Sequence, residues 1–231
     1  MRELLLRLGP IVAVAFALAV ATLPLAIYLG RKLGITANHA VRLSADEQIS
    51  AFGGAPIIGA ILIALAMLHY LPIWILAGAG GLLIVGMIDD AIELRPYQKF
   101  FCQAAICGWA AVFALPAYGL TPWPALDCAL AIVWLLATTN AFNLIDGLDG
   151  LAAGIGIVAS IVIAATGIMH GAPQVWMPSL AIVGALCAFM VFNFPPASII
   201  MGDAGALPLG YLLGALALAG GELATNSRLI K

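Results

Sequence analysis

Apolar residues in this chain come in long runs, not in stripes. The runs lie at about 9–30, 53–70, 73–88, 100–117, 125–140, 151–169, 176–194 and 206–223. Between them sit short stretches of Gly, Pro or clustered charge, the residues expected where helices end. A helix that is apolar all round is buried in a large core or faces lipid. Runs close to the roughly 20 residues needed to cross a bilayer favour lipid. The pattern predicts an all-α, polytopic membrane helix bundle of about eight transmembrane helices, with residues 1–231 forming a single integral-membrane domain. Arg2 and Arg7 before the first run, and the small residues of "ALAVAT", resemble a signal peptide. The run continues to Leu29 and stops at Arg31-Lys32, so a retained membrane helix is expected.

The polar residues between the runs are unevenly distributed. The loops near 31–52, 89–99, 141–150 and 195–205 alternate with those near 71–72, 118–124 and 170–175. The first set holds Arg31, Lys32, Arg42, Arg95 and Lys99, and the second holds no Lys or Arg. The positive-inside rule makes the first set cytoplasmic. Asp89, Asp90, Asp146, Asp149, Asn193 and Asp203 all fall on that side, whereas His69 and His170 fall toward the other. The three histidines, with His39, form no ligand pair.

Composition sharpens the choice of solvent. The chain is 64% hydrophobic and only 9% charged, with a mean hydropathy of +1.13, too few polar groups to cover a water-soluble surface. A net charge of −2 offers no basic footprint, and no nucleic acid is expected as a partner. Cys102, Cys107, Cys128 and Cys187 lie in apolar runs without a CxxC and read as small buried hydrophobes.

Three stretches concentrate what polarity there is. "GMIDDAIELRPYQK" puts Asp89 and Asp90 directly after an apolar span, with Lys99 on the same loop. Adjacent carboxylates repel unless a cation or proton lies between them, which suits Mg²⁺, although a solvated interfacial loop would look similar. "NAFNLIDGLDG" places Asn140 and Asn143 one turn apart at a helix end, followed by Asp146 and Asp149 in a glycine-bounded loop. One capping Asp would suffice for an Asx turn. Four such residues at membrane depth point to a functional cavity. In "NFPPASIIMGDAGALPLG", Asn193 ends a span and Asp203 opens the next helix, either as its cap or beside a phosphate at its N-terminus. Carboxylates, amides and one lysine, without Cys or His, suit a hard cation and phosphate oxygens. The chemistry inferred is phosphoryl transfer at the membrane surface. An ion transporter would carry its carboxylates near the bilayer midplane, whereas these lie at span ends.

The stretches "FGG" at 52–54, "DDAIELRPYQK" at 89–99, "NAFNLIDGLDGLAAG" at 140–154 and "NFPPASIIMGDAGALPLG" at 193–210 resemble the polyprenyl-phosphate N-acetylhexosamine-1-phosphate transferase superfamily in order and spacing. The resemblance implies transfer of a sugar 1-phosphate from a UDP-N-acetylhexosamine to undecaprenyl phosphate, releasing UMP, with Mg²⁺. It implies a multi-pass protein of the bacterial cytoplasmic membrane, in contact with membrane lipid, that starts cell-wall or surface-polysaccharide lipid intermediates; a homodimer is left open. Carried over, Asp203 would ligate Mg²⁺, Asp89 and Asp90 would serve the lipid phosphate, and Lys99 would neutralise phosphate charge. Asn143 and Asp146 would organise the diphosphate, and Asp149 and Asn193 the nucleoside side. The chain departs from the superfamily in having Gln48, Ile49, Ser50 and Ala51 in place of a Pro-x-Pro-Arg stretch, Ile200 in place of Phe, and Ala206 in place of Ser. Members continue through further spans and a His-rich cytoplasmic loop, whereas this sequence stops at Lys231. The expectation is a short member holding the metal and phosphate half of the site; the alternative is a silent paralogue that binds lipid carrier or pairs with a full-length enzyme.

Overall fold

The computed structural model describes residues 2–36, 49–70, 72–114 and 121–229. His39, Arg42 and Gln48 lie outside the described residues. Each expected span is a helix: α1 (Arg2–Leu33), α2 (Gly54–Met67), α3 (Ile73–Ile92), α4 (Pro96–Trp109), α5 (Pro124–Ile145), α6 (Leu151–Met169), α7 (Pro173–Asn193) and α8 (Asp203–Leu229). A π-helical turn, Ala110–Ala114, extends α4. Among the described residues there is no strand, only isolated bridges of Ser50 to Thr36 and to Ile199. Among the described residues six helices are long and apolar enough to cross a membrane; α2, although apolar, is shorter.

One boundary differs in a way that matters for the site. Asp89 and Asp90 were expected on a loop and instead form the last turn of α3. Their carboxylates do not need bulk water there. Asp89 Oδ1 accepts the N–H of Leu94 at 2.7 Å, and Asp90 is satisfied by α8. The helix ends at Glu93, whose φ of 52° reverses the chain into α4.

The bundle is built around α8. Of its membrane-length window 83% is buried by neighbouring helices, against 22% for α5. Helices in lipid gain little from the hydrophobic effect and associate through close packing and interhelical hydrogen bonds. The small residues of "GALPLGYLLGALALAGG" let α2, α3, α5, α6 and α7 all approach α8. Tyr211, within that stretch, is fully buried and donates its hydroxyl to Trp74 O at 3.0 Å. Trp134 of α5 donates its indole N–H to Gly214 O at 3.0 Å. On α1, Ile11, Ala15, Ala19, Leu23 and Ala26 are buried. They recur about once per turn and turn one stripe toward α7 and α2. The opposite faces of the outer helices carry exposed Val133, Val158 and Val162, a surface matched to acyl chains and not to water.

Candidate functional site

The last turn of α3, the first turn of α4, the last turn of α5 and the first turn of α8 meet at one end of the bundle. The ends of α3 and α5 and the start of α8 line a cavity of about 340 Å³ through Asp89, Asp90, Glu93, Asn143, Asp146 and Asp203, a size in the range of small-molecule sites. Lys99 of α4 is not itself among the lining residues and reaches the cavity through its bonds to Asp89, Asn143 and Asp203.

Close backbone approach makes this convergence possible. A Cβ on Gly86 of α3 would lie 2.3 Å from Asp203 O, and one on Gly54 of α2 would lie 2.1 Å from Gly205 N. Only glycine at these two positions lets α2 and α3 touch the first turn of α8. The segment before α8 is steered by short backbone pairing: Ile200 N–H donates to Ser50 O at 2.8 Å and Gly53 N–H to Ile200 O at 3.1 Å. Ser50 itself is buried and donates to Ala26 O of α1 at 3.3 Å.

Asp90 then closes the joint. Its two oxygens accept the N–H groups of Asp203 and Ala204 at 2.9 and 3.0 Å. A helix N-terminus leaves such donors unpaired and carries partial positive charge. Asp90 therefore caps α8 from a residue 113 positions away in the chain.

Lys99 is the cationic centre. Pro96 starts α4 with its fixed φ, and Gln98 Oε1 accepts the N–H of Arg95 at 3.1 Å. One turn in, Lys99 Nζ donates to Asp89 Oδ2 at 3.0 Å, to Asn143 Oδ1 at 3.4 Å and to Asp203 Oδ2. Asn143 Nδ2 donates in turn to Asp203 Oδ1. Burial disfavours the charged form of Lys99, but its bonds to Asp203 and Asp89 outweigh that and raise its pKa above the ordinary 10.5. The ammonium is thus held protonated at neutral pH.

The cavity is nevertheless lined mainly by acids: Asp89, Asp90, Glu93, Asp146 and Asp203, of which Lys99 bonds Asp89 and Asp203. Among the described residues no three His, Cys, Asp or Glu side chains are grouped closely enough to hold a metal ion by themselves. Mg²⁺ is ordinarily bound through one or two carboxylates together with waters and phosphate oxygens. A donor set made of carboxylate and amide oxygens fits a cation of that kind, shared with a phosphate.

The other expected residues sit around the rim. Asp146 lines the cavity, and its Oδ2 accepts the N–H of Gly202 at 2.9 Å. Asp149 and Asn193 are not among the lining residues. Asp149 Oδ2 accepts the N–H of Ala197 at 3.1 Å. Asn193, buried, accepts from Gly150 N–H at 2.9 Å and donates to Ile199 O at 2.8 Å. These two tie the 146–150 turn to the segment that leads into α8. Ile35, Thr36 and Glu93 also line the cavity without having been singled out. Glu93 was within reach of a reading that followed the acidic stretch four residues past Asp89; no local signal marks Ile35 or Thr36.

The glycosyl transferase family 4 model matches residues 72–221, a stretch that contains Asp89, Asp90, Lys99, Asn143, Asp146 and Asp203. The chain belongs to glycosyl transferase family 4. Within family 4, the phospho-N-acetylmuramoyl-pentapeptide-transferase of Limosilactobacillus fermentum (strain NBRC 3956 / LMG 18251) is 36% identical over 151 residues, covering 58% of this chain and 46% of the relative. The probable undecaprenyl-phosphate N-acetylglucosaminyl 1-phosphate transferase of Bacillus subtilis (strain 168) is 31% identical over 228 residues, covering 90% and 63%. The phospho-N-acetylmuramoyl-pentapeptide-transferase of Moorella thermoacetica (strain ATCC 39073 / JCM 9320) is 30% identical over 240 residues, covering 91% and 74%. The chain thus spans between 46% and 74% of the length of these relatives. Family membership and six helices able to span make it a multi-pass membrane protein.

Proposed function

We propose that this chain transfers a sugar 1-phosphate from a UDP-N-acetylhexosamine to undecaprenyl phosphate, at the cytoplasmic face of a bacterial inner membrane and with Mg²⁺. The names of its relatives support the reaction class. The observation that carries the reading is that Lys99 bonds Asp89, Asn143 and Asp203, three residues that line one acidic cavity, at the end of a bundle whose flanks are apolar. A lipid acceptor can keep its chain against those flanks while its phosphate reaches the cavity.

In the net exchange an oxygen of the lipid phosphate bonds to the sugar-bearing phosphorus. The bond from that phosphorus to the uridylyl phosphate breaks, and UMP leaves. Two phosphorylated substrates bring several negative charges to a site that is already acidic, so charge compensation dominates the chemistry. Mg²⁺, held by Asp203 and Asp89 together with phosphate oxygens, would supply that compensation and polarise the phosphoryl group. Lys99 meets phosphate oxygens as a point charge. Asn143 orients Asp203 through its amide N–H. Asp90 holds the first turn of α8, and with it the Asp203 backbone, in place. Asp146 fixes Gly202 beside the cavity, and Asp149 and Asn193 hold the two loops on which the nucleoside end of the donor would rest.

The decisive variant is Asp203→Asn. It keeps shape and a hydrogen-bonding oxygen but removes one ligand charge. In detergent or nanodiscs it should lose transfer from UDP-N-acetylglucosamine to undecaprenyl phosphate by at least ~100-fold, the scale of a lost charge-stabilising group. It should also lose the thermal stabilisation that Mg²⁺ plus undecaprenyl phosphate gives the parent. A variant that kept both would reduce Asp203 to a helix residue and defeat the reading.

A further inference from the structure

One turn along from the cavity, about 6 Å further into the bundle, α4 and α5 are joined by a second polar contact. Asn140 Nδ2 donates to Gln103 Oε1 at 2.8 Å and also to Leu136 O at 2.8 Å. Gln103 lies four residues after Lys99 on α4, and Asn140 lies three residues before Asn143 on α5. The Gln103–Asn140 and Lys99–Asn143 bonds are therefore successive rungs across one seam.

The rung is costly as packing. Gln103 is fully buried, yet its Nε2 has no hydrogen-bond partner. An unmet buried amide N–H costs free energy that a leucine of similar volume would not. What the amide provides is direction. Among the buried side chains of α4 only Gln103 and Cys107 are found, while Phe100 and Phe101 face outward. A short peripheral helix with so small a buried face can slide or turn against apolar neighbours, but an amide–amide hydrogen bond holds one register.

We propose that Gln103 and Asn140 are positioning residues: their hydrogen bond sets the register of α4 on α5 and so holds Lys99 in reach of Asp89, Asn143 and Asp203. The proposal rests on the phosphoryl-transfer reading for its effect on turnover, but not for its effect on helix register. Neither side chain lines the cavity, so their influence passes through Lys99. Removing such a supporting contact typically costs about 10–100-fold in activity.

The test uses the full chain in nanodiscs with Gln103→Leu, and with the reciprocal pair Gln103→Asn/Asn140→Gln, which restores two amides across the same gap. Transfer kinetics are measured alongside thermal unfolding. Spin-label distances between the first turn of α4, at Tyr97, and the last turn of α5, at Leu144, both exposed, are read in a cysteine-free background. Gln103→Leu should unfold no earlier than the parent, lower kcat about 10–100-fold, leave KM for the nucleotide sugar near the parent value, and shift or broaden the distance distribution. The reciprocal pair should recover both kcat and distance. A folded Gln103→Leu protein with the parent's kcat, or with the parent's distance distribution, overturns the proposal. Should the parent itself show no transfer, the functional reading fails by its own test. The distances then decide alone: a shifted distribution upholds the rung, and an unchanged one removes it.

Discussion

At the scale of single residues, Lys99 decides how the carboxylates coexist. Its ammonium bridges Asp89 and Asp203, and without it those two acids would face each other across a partly buried gap. Lys99→Met should therefore lower the unfolding temperature and abolish most transfer, while Mg²⁺ narrows the stability difference by taking over part of the compensation. The pH dependence follows from the raised pKa of Lys99. A cation whose folded-state pKa lies above its unfolded value contributes in full below the unfolded value of about 10.5 and is lost as pH rises through the folded one. The gap in unfolding temperature between parent and Lys99→Met should stay flat from pH 7 to about pH 10 and shrink only above that. A gap that closed near neutrality would mean that Lys99 is not held as a cation. Lys99 was legible in the sequence as a phosphate-side charge. Its bond to Asp203 was not, because Asp203 lies 104 positions away.

At the scale of elements, the joint between α3 and α8 carries the site. Gly86 lies against the backbone of Asp203 and Ala204, whereas Gly80 on the same helix has nothing within 4 Å of where a Cβ would stand. Gly86→Ala should push the helices apart at a cost of about 1–3 kcal/mol and pull Asp90 off the α8 N-terminus, with loss of transfer. Gly80→Ala should leave transfer intact and keep or slightly raise stability, since Ala is the better helix former by roughly 0.5–1 kcal/mol. Thermal unfolding and activity of the two variants, read together, separate a specific joint from a general dislike of alanine in α3. The element pattern itself was readable along the chain: all eight runs became helices. The end of α3 was misplaced because charge after an apolar run reads as water. Here the charges of Asp89 and Asp90 are met by protein groups, so the helix continues through them.

At the scale of the whole molecule, the motif-bearing ends of α3, α5 and α8 lie together, and the turn that holds His170 follows α6 at that helix's far end. If the motif end is cytoplasmic, a cysteine at position 95 in a cysteine-free background should resist an impermeant maleimide in intact bacterial cells and react after lysis, while one at position 170 should react in both. The reverse pattern would turn the cavity away from cytoplasmic UDP-sugars and undo the proposed function.

The sequence by itself determined the solvent, the helices and the chemical character of the site. Those depend on composition, on run length and on which residue types cluster near span ends, all of which are local properties. Only the tertiary structure decided what each polar group does. Asp90 became the cap of α8, Asn193 became a bond between two backbone segments, and Gln103 with Asn140 became a rung below Lys99. Those roles rest on distances of about 3 Å between residues far apart in the chain. They were set when the small residues of α8 let five helices close on it, and no local pattern encodes such a meeting.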